Sequence, residues 1–465
     1  MFFQQFYLGC LAHASYMFGS KSEAVVVDPQ RDVEIYLEAA QKNGLTIRHI
    51  FETHLHADFV SGHKELAQRT GAKIYVGAAA GAKFEHVALH EGFELQVGDI
   101  CVRVLETPGH TPESVCLVLS DCARGDEPFA VLTGDTLFVG DVGRPDLSPT
   151  YTAEELADRL YDSLHRKLMT LPDKTLVYPA HGAGSLCGRN LRAESSSTIG
   201  TERLTNWALQ IKMREEFIAQ MTSNLPARPE YFAEDAAINR EGAAALSDLT
   251  PLTPIKPAEL QEQISHGATV VDVRPNNDFA AAHIPNSINI ALTGQFAAWS
   301  GAVLGLSARP VLVADNDQQI AEARVRLARV GIEDVAGYLE GGIAAWKAAG
   351  LPLTQVPQLT VQELKQHVDS GAVRVLDVRR AAEFEAGHID GADWYALDDF
   401  KRALPRLDKE QKLAVHCKGG YRSMIACSFL QRAGHENVIN VIGGLDAWQK
   451  EGLPVTAQAV AAATA

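Results

Sequence analysis

The sequence has 465 residues, of which 46% are hydrophobic and 22% charged, and its formal net charge is −16. This length exceeds what one hydrophobic core organises, so we expect two to four domains. The acidic balance argues against nucleic acid or an anionic membrane surface as a partner, although it says little about small substrates.

The N-terminus and the cysteines indicate the compartment. The first lysine is Lys21, so the apolar N-terminus lacks the basic residues of a signal peptide. No segment offers the roughly 18 uninterrupted apolar residues of a membrane-spanning helix. The seven cysteines are few and scattered, which does not favour a disulfide framework. We therefore predict a cytoplasmic protein without a membrane partner.

Residues 1–225 alternate short apolar runs with turns that are rich in Gly and Asp, as at 24–27 and 115–119. This pattern predicts two β-sheets with helices outside them. Residues 226–254, an Ala-rich polar stretch that begins and ends with prolines, follow as a connector.

The rest of the chain is an internal repeat with copies at 255–355 and 356–456. Each copy alternates strand and helix patterns, which predicts a small α/β domain with a parallel sheet. Residues 457–465 form an Ala-rich tail that we expect to be disordered. Three pairs of segments match between the copies: 271–274 with 376–379, 279–284 with 384–389, and 341–346 with 443–448.

Histidine and aspartate recur at metal-ligand spacing after the strand-like stretch that ends at Phe51. Alternate positions on a turn at a strand end face one cleft, so His54, His56 and Asp58 are expected to converge. Three more residues of ligand type each follow an apolar run, and they are His110, Asp135 and His181. This set predicts a metal site.

Phe59 stands where a second metal would take a histidine, so we predict one metal, held by His54, His110 and Asp135. Two histidines and one carboxylate with open positions are the ligand set of non-haem Fe(II) enzymes. With His56 added, the same residues suit one zinc that activates water. Spacing alone does not decide between iron and zinc.

The other residues near this motif are expected to support it. Asp58 and His181 would orient the site, and His56 would either bind the metal or hydrogen-bond to a ligand. Four histidines are interpreted as ordinary helix-end or surface residues, namely His13, His63, His86 and His90.

The run T-H-x-H-A-D at 53–58, with T-P-G-H-T at 107–111, T-G-D-T at 133–136 and P-A-H at 179–181, resembles the metallo-β-lactamase superfamily. The resemblance covers residues 1–225 and implies an αββα fold. Relatives similar to glyoxalase II carry H-x-H-x-D-H and two metals, and Phe59 departs from that pattern. Persulfide dioxygenases of this fold hold one Fe(II) through two histidines and one aspartate, which correspond here to His54, His110 and Asp135.

The resemblance also bears on the substrate. The dioxygenase subgroup has an arginine near the thiol substrate, and Arg144 matches it, so Arg144 is expected to hold an anionic group. The alternative is a loop arginine in a salt bridge. Relatives specific for glutathione have a tyrosine two residues after the histidine that corresponds to His181, whereas this chain has Ala183, which leaves the thiol open.

The second repeat holds a Gly-rich loop around Cys417, between a strand pattern and a helix pattern. Inward N–H groups and a helix N-terminus lower the pKa of a thiol and favour the thiolate nucleophile. Cys417 is therefore the expected nucleophile, with charge from Lys418 and Arg422. The residues expected to bind the substrate sulfur are Gly419, Gly420, Tyr421 and Ser423.

This loop resembles that of rhodaneses, as do Asp377, Arg379, Glu383 and His388 upstream. Four residues separate Cys417 from Arg422, whereas cysteine phosphatases use five, and the shorter loop suits sulfur. The first repeat has Asp315 where the nucleophile would stand, so we expect a structural spacer, an interface or a docking surface.

The whole chain resembles the multidomain persulfide dioxygenase–sulfurtransferases of bacterial sulfide detoxification. That resemblance implies Fe(II)-dependent oxidation of a thiol persulfide by O2 to sulfite, followed by transfer of sulfane sulfur to sulfite, which gives thiosulfate. The alternatives are a mononuclear zinc thioesterase similar to glyoxalase II, fused to a sulfurtransferase, and a non-enzymatic sulfur carrier or scaffold. We expect a homo-oligomer.

Overall fold

The structure, a computed structural model, describes residues 1–457 except 124, 126, 224, 226, 401–403, 405 and 406. Pro226 of the predicted connector and all but the first residue of the predicted tail lie outside the described residues. The chain forms two compact units, Met1–Leu249 with Ala328–Gly331, and Thr250–Leu327 with the chain from Ile332.

The first unit contains two six-stranded sheets. The strands of the first sheet follow chain order, with the first three antiparallel and the later ones parallel. They are Phe2–Leu8, His13–Ser20, Glu23–Val27, Thr46–Glu52, Lys73–Gly77 and Val87–Leu89. In their order across the sheet, the strands of the second sheet are Ser197–Thr198, Leu176–Pro179, Pro128–Gly134, Val115–Asp121, Ile100–Glu106 and Glu94–Val97.

The two sheets face each other across a core, and helices cover their outer faces. Successive side chains of a strand point to opposite faces. Phe18 accordingly packs with Phe51 and Leu117 between the sheets, while Met17 packs outward against Tyr36. The four-layer αββα arrangement confirms the predicted fold class. The helices of this unit are Glu34–Lys42, His63–Thr70, Ala153–Asp162, Ile199–Thr205, Trp207–Gln210, Arg214–Thr222 and Tyr231–Glu241, with short helical turns at Ala78–Ala80, Ser163–Lys167, Leu168–Thr170 and Leu246–Asp248.

Residues 227–249 of the predicted connector fold as part of the first unit, and residues 250–254 belong to the second. The connector helix Tyr231–Glu241 buries Phe232, Asp235 and Asn239 against the rest of the first unit. The polar composition of this helix hides its buried stripe, because only every third or fourth residue faces inward.

The second unit contains two five-stranded parallel sheets, one for each repeat. Both have the same strand order, which confirms the predicted pair of α/β domains. In order across the sheet, the first has Pro254–Ile255, Gly337–Leu339, Val311–Val313, Val270–Asp272 and Ile288–Asn289, and the second has Gln358–Leu359, Val438–Val441, Leu413–His416, Arg374–Asp377 and Asp393–Trp394. The helices are Pro257–Ser265, Asn276–Ala281, Phe296–Leu304, Asp317–Ala328, Gly342–Ala348, Val361–Asp369, Ala381–Ala386, Tyr421–Arg432 and Gly444–Lys450, with a 3₁₀ turn at Leu397–Asp399.

Residues that repeat in the sequence have equivalent structural roles. Trp346 and Trp448 each lie in the core of their repeat and donate the indole N–H to a proline carbonyl, at 2.9 Å. Arg274 and Arg379 each pair with the aspartate two residues before. These matching residues therefore stabilise the two domains in the same way.

The cysteines form a single disulfide bond among the described residues. Cys101 and Cys122 form a disulfide bond between the strand Ile100–Glu106 and the turn after Val115–Asp121, while the other five cysteines are free. The two positions become neighbours because these strands are antiparallel partners, which spacing alone does not show. Within the described part of the chain, none of the helices combines the length and the apolar character needed to cross a membrane.

Candidate metal centre and cysteine loop

Three strand ends bring the predicted metal ligands together at one edge of the two sheets. His54 follows the strand Thr46–Glu52, His110 follows Ile100–Glu106, and Asp135 follows Pro128–Gly134 directly. The side chains are buried, and their donor atoms lie within 4.8 Å of one another. Asp135 Oδ2 is 3.4 Å from His110 Nε2 and 3.8 Å from His54 Nε2.

Hydrogen bonds fix the orientation of the two imidazole rings. His110 Nδ1 donates to the carbonyl of Arg144 at 2.9 Å. Thr53 Oγ1 donates to Asp28 Oδ2 and lies 3.0 Å from His54 Nδ1, from which it accepts. Both rings therefore carry their proton on Nδ1, and each Nε2 lone pair faces Asp135.

The charges around the triad suit a cation. Burial holds the pKa of His54 well below its usual value, so this ring is neutral. Burial would raise the pKa of Asp135, but the charge and the hydrogen bond of His181 hold it well below its usual value. His54 Nε2 is buried and finds no hydrogen-bond partner among the described residues. Two neutral imidazoles, one carboxylate and an unsatisfied nitrogen fit a divalent metal.

A second cluster of donors lies beside the triad. His181 donates from Nδ1 to Asp135 Oδ1 at 2.7 Å, and its Nε2 is 2.9 Å from Asp58 Oδ2. The Sγ of Cys187 joins Asp58 and His181 within 4.8 Å. Sequence analysis missed Cys187 here, because it lies in the loop after His181 with no motif to mark it. Asp58 and His181 thus lie where the prediction placed them, next to the triad.

The electrostatics of this second cluster follow from its two carboxylates. Burial would lower the pKa of His181, but the charges of Asp135 and Asp58 hold it well above its usual value. Burial and the charge of Asp58 raise the pKa of Cys187 to about 12. In this arrangement His181 carries the positive charge between the carboxylates, and Cys187 is a neutral thiol.

His56 turns one nitrogen away from the triad. Its Nε2 is 3.2 Å from Asp28 Oδ1 and 3.6 Å from Glu52 Oε2, and neither ring nitrogen makes a hydrogen bond among the described residues. Both interpretations of His56 therefore stay open, because the ring lies beside two carboxyl groups and has a nitrogen that could bind a metal. Burial raises the pKa of Glu52 to about 8, so the Glu52 carboxyl does not carry a full negative charge at neutral pH.

Two histidines that the sequence analysis set aside are buried. His13 lies on the strand His13–Ser20 with its ring 4.1 Å from that of Phe59 and its Nε2 2.9 Å from the carbonyl of Asp28. His63 begins a helix and contacts Glu52 through Nδ1 at 3.1 Å. The expectation of an ordinary surface or helix-end residue is wrong for His13, which lies on a buried strand, whereas His63 does lie at a helix end but is buried there.

Phe59 is fully buried next to these rings. Its ring centroid lies 4.4 Å from that of His56 as well as 4.1 Å from that of His13. The aromatic ring thus fills a space bordered by imidazoles and supplies no donor atom, as the sequence indicates.

Asn239 of the connector helix holds the metal-binding loop. Its Nδ2 donates to the carbonyls of His56 and Phe59, both at 2.8 Å, and its Oδ1 accepts from the N–H of Ser61 at 2.8 Å. The residue is buried. Sequence analysis missed this residue since about 180 positions separate it from the loop.

Arg144 is buried, and its side chain forms an ion pair. Nε and Nη2 donate to the two oxygens of Asp146, at 2.6 and 2.8 Å. This ion pair corresponds to the alternative in which Arg144 is a loop arginine in a salt bridge. Any substrate group that reached Arg144 would meet a guanidinium already paired with Asp146. The carbonyl of Arg144 meanwhile fixes the ring of His110.

Cys417 lies at the end of the strand Leu413–His416 and just before the helix Tyr421–Arg432. Its Sγ accepts from the N–H of Gly420 at 3.1 Å and lies 3.7 Å from Ser423 Oγ. Ser423 in turn donates to Asn440 Oδ1 at 2.7 Å. The loop thus presents a main-chain donor and a hydroxyl to the sulfur, while Lys418 and Gly419 are exposed at its rim.

Arg422 is held next to the cysteine loop by Glu383. Its Nη1 and Nη2 donate to the two carboxylate oxygens of Glu383, at 2.6 and 2.7 Å. Burial alone would lower the pKa of Arg422, but the bonds and charge of Glu383, with a contribution from Cys417, raise it. Glu383, which belongs to the motif upstream of the loop, therefore holds Arg422 in place.

The first repeat has no equivalent of this loop. Asp315, two residues after the strand Val311–Val313, is exposed, and its side chain is a carboxylate rather than the thiol that Cys417 offers in the second repeat. Its main-chain N–H donates to Gln319 Oε1 at 2.8 Å.

The fold and these sites define a protein with two chemical centres: an αββα domain with a buried donor cluster, and paired α/β repeats of which one carries a cysteine loop. The metallo-beta-lactamase superfamily model matches residues 8–181, and the rhodanese-like domain model matches 256–349 and 360–451.

Individual proteins agree with these matches. The chain is 32% identical over 222 residues to the mitochondrial persulfide dioxygenase of Bos taurus, which covers 46% of this chain and 77% of that protein. It is 30% identical over 240 residues to the hydroxyacylglutathione hydrolase of Rhodospirillum rubrum, with 50% and 84% covered. A crystal structure of a metallo-beta-lactamase from Staphylococcus aureus is 34% identical, covers 73% of this chain and 98% of its own, and gives a TM-score of 0.65. The chain belongs to the metallo-beta-lactamase superfamily, and two rhodanese-like domains follow its metallo-beta-lactamase domain.

Proposed function

We propose that this enzyme oxidises a low-molecular-weight thiol persulfide to sulfite at one Fe(II), and that its second rhodanese-like domain transfers sulfane sulfur. The first activity is assigned to residues 1–225 and the second to residues 356–456. In this proposal the protein removes reactive persulfide during sulfide detoxification in the cytoplasm.

The observation that carries the proposal is the buried triad of two neutral imidazoles and one carboxylate, with Phe59 beside it in place of a further donor. This ligand set leaves metal positions open for oxygen and a sulfur ligand together. The similarity to a persulfide dioxygenase over 77% of that relative supports the same reading.

The residues of the first centre have distinct tasks. His54 and His110 would hold the iron through Nε2, and Asp135 through Oδ2. His181 donates its Nδ1–H to Asp135 Oδ1 and thereby orients that carboxylate. Phe59 lies against the rings of His13 and His56 and supplies no donor atom there. One persulfide, one O2 and one water give one thiol, one sulfite and two protons.

At the second centre the Cys417 thiolate attacks the outer sulfur of a persulfide, the S–S bond breaks, and the thiol leaves. Sulfite then attacks the outer sulfur on Cys417, which releases thiosulfate and restores the thiolate. The Gly420 N–H stabilises the sulfur anion in both steps, and Arg422 attracts sulfite.

Anaerobic purification with metal analysis, followed by oxygen uptake with several thiol persulfides, tests the first activity. We expect one iron per chain and uptake that requires persulfide. A zinc protein that consumes no oxygen would instead favour the thioesterase, which the similarity to hydroxyacylglutathione hydrolase supports. For the second activity, Cys417→Ser should abolish conversion of sulfite to thiosulfate and leave oxygen uptake unchanged.

A further inference from the structure

The cysteine-free repeat contacts the catalytic loop of the other repeat. Asn276 Nδ2 donates to the carbonyl of Gly420 at 3.2 Å, and the Tyr421 hydroxyl donates to the carbonyl of Ala291 at 2.8 Å. Gly420 and Tyr421 are the two residues at which the loop becomes the helix Tyr421–Arg432. The first repeat thus anchors both sides of this junction.

Close packing supports these bonds. A Cβ on Gly294 would lie 2.3 to 2.7 Å from three ring atoms of Tyr421, so only glycine allows this approach. Arg326 is buried and donates to the carbonyls of Leu292 and Gly294, at 2.5 and 2.8 Å. The segment 291–294 is therefore braced from within its own repeat before it meets Tyr421.

The junction needs such anchors because of Gly420. This residue has φ +97°, which side-chain-bearing residues rarely adopt, and it also supplies the N–H that reaches Cys417 Sγ at 3.1 Å. A glycine has wide conformational freedom, so nothing in its own chemistry keeps that N–H aimed at the sulfur. The external hydrogen bonds at its own carbonyl and at the side chain of the next residue, Tyr421, restrict it.

We propose that Asn276 and the segment 291–294 of the cysteine-free repeat are positioning elements that keep the Gly420 N–H directed at the sulfur on Cys417. This inference rests on the proposed role of Cys417 as sulfur carrier. It assigns a function to the repeat that has lost its own nucleophile, since the repeat completes the donor geometry of the active one.

Other contacts between the two repeats lie farther along the helix and provide controls. Arg432 Nη1 donates to the carbonyl of Asn286 at 3.0 Å, at the end of the helix opposite to Cys417. Loss of this bond weakens the interface without touching the junction. If Asn276 only stabilised the interface between the repeats, Arg432→Ala should therefore have the same effect as Asn276→Ala.

The test compares Asn276→Ala, Asn276→Asp and Tyr421→Phe with Arg432→Ala in the full-length protein. Asn276→Asp keeps the size of the side chain but removes the N–H donor, and Tyr421→Phe keeps the ring but removes the hydroxyl. The readouts are the rate of Cys417 alkylation by iodoacetamide as a function of pH, and thiosulfate formation from a thiol persulfide and sulfite.

We expect each of the three junction variants to slow thiosulfate formation by about fivefold to tenfold, as loss of one hydrogen bond implies. The pH midpoint of alkylation should move upward in all three, because the thiolate loses an aimed donor. Arg432→Ala should leave this midpoint unchanged. Unchanged midpoints in all junction variants, or an equal shift in Arg432→Ala, would overturn the proposal.

Alkylation separates this inference from the proposed function. If Cys417→Ser retained thiosulfate formation, the sulfur-carrier role would fail, while the alkylation midpoints would still report on the Gly420 donor. Oxygen uptake should be the same in all variants, since the residues lie outside residues 1–225.

Discussion

The amide of Asn239 donates to the main-chain carbonyl of His56, at 2.8 Å, and thereby ties the connector helix to the metal-binding loop. The same amide nitrogen reaches the carbonyl of Phe59, and its oxygen accepts from the N–H of Ser61. Three main-chain groups of a buried loop thus depend on one side chain. A segment that reads as a linker in the sequence contributes to the geometry of the metal centre.

Replacement of Asn239 by alanine should loosen this loop. Buried carbonyls and an N–H left without partners cost about 2–4 kcal/mol in stability, and the neighbouring ligand His54 loses its fixed position. We expect metal content after dialysis to fall well below one per chain, measured by plasma mass spectrometry. Asn206→Ala, which removes another buried amide with partners at Asp141 and Glu202, is the control and should retain the metal. Full metal retention in Asn239→Ala would show that the hydrogen bonds of Asn239 are not needed to hold the metal.

Phe59→His should raise the metal content towards two per chain. The new imidazole would occupy the space beside His13 and His56 and join Asp58, His181 and Cys187, which already form a cluster of donors. Phe59→Leu leaves the position apolar and should keep one metal. If Phe59→His also held a single metal, Phe59 would not be the residue that sets the stoichiometry.

Glu383→Gln should impair sulfur transfer through Arg422. The two bonds from the guanidinium to the carboxylate fix Arg422 beside Cys417, and a neutral amide replaces only one of them. We expect thiosulfate formation to fall about tenfold, with a higher KM for sulfite, in a steady-state assay. The corresponding position of the first repeat is the exposed Asp278, so Asp278→Asn is a matched control with an unchanged rate. Equal rates in both variants would exclude the positioning role of Glu383.

His283 should make the repeats less stable in acid. Burial lowers its pKa from the usual 6.5 to about 4, so the unfolded chain takes up a proton below pH 6.5 that the folded state refuses. Its contribution to stability is complete above pH 6.5 and is lost as pH falls towards 4, by at most about 1.4 kcal/mol per pH unit.

Urea unfolding at pH 7.5 and 5.5, followed by tryptophan fluorescence, measures this effect. Four of the five tryptophans, all except Trp207, lie in the repeats, so the signal reports mainly on them. His283→Gln should lose less stability between the two pH values than the natural protein. An identical pH dependence in the two proteins would mean that His283 does not titrate as its burial implies.

The sequence by itself determined the local chemistry. His54, His110 and Asp135 each stand next to a strand end, and Cys417 stands between a strand and a helix, so the alternation of elements and short motifs places them. The two repeats and the αββα layers were equally predictable. Apolar periodicity is visible in neighbouring residues, and the repeat is visible when the two copies are compared.

Only the tertiary structure decided what surrounds these groups. Cys187, His13 and Asn239 reach the metal centre through contacts between elements that are far apart in the chain, and no spacing rule predicts such contacts. Asn276 likewise meets the cysteine loop 144 positions later. Spacing specifies which donors exist and on which strand ends they lie. The packing of sheets and helices decides which carbonyls, carboxylates and glycines fix their direction, and that direction determines their reactivity.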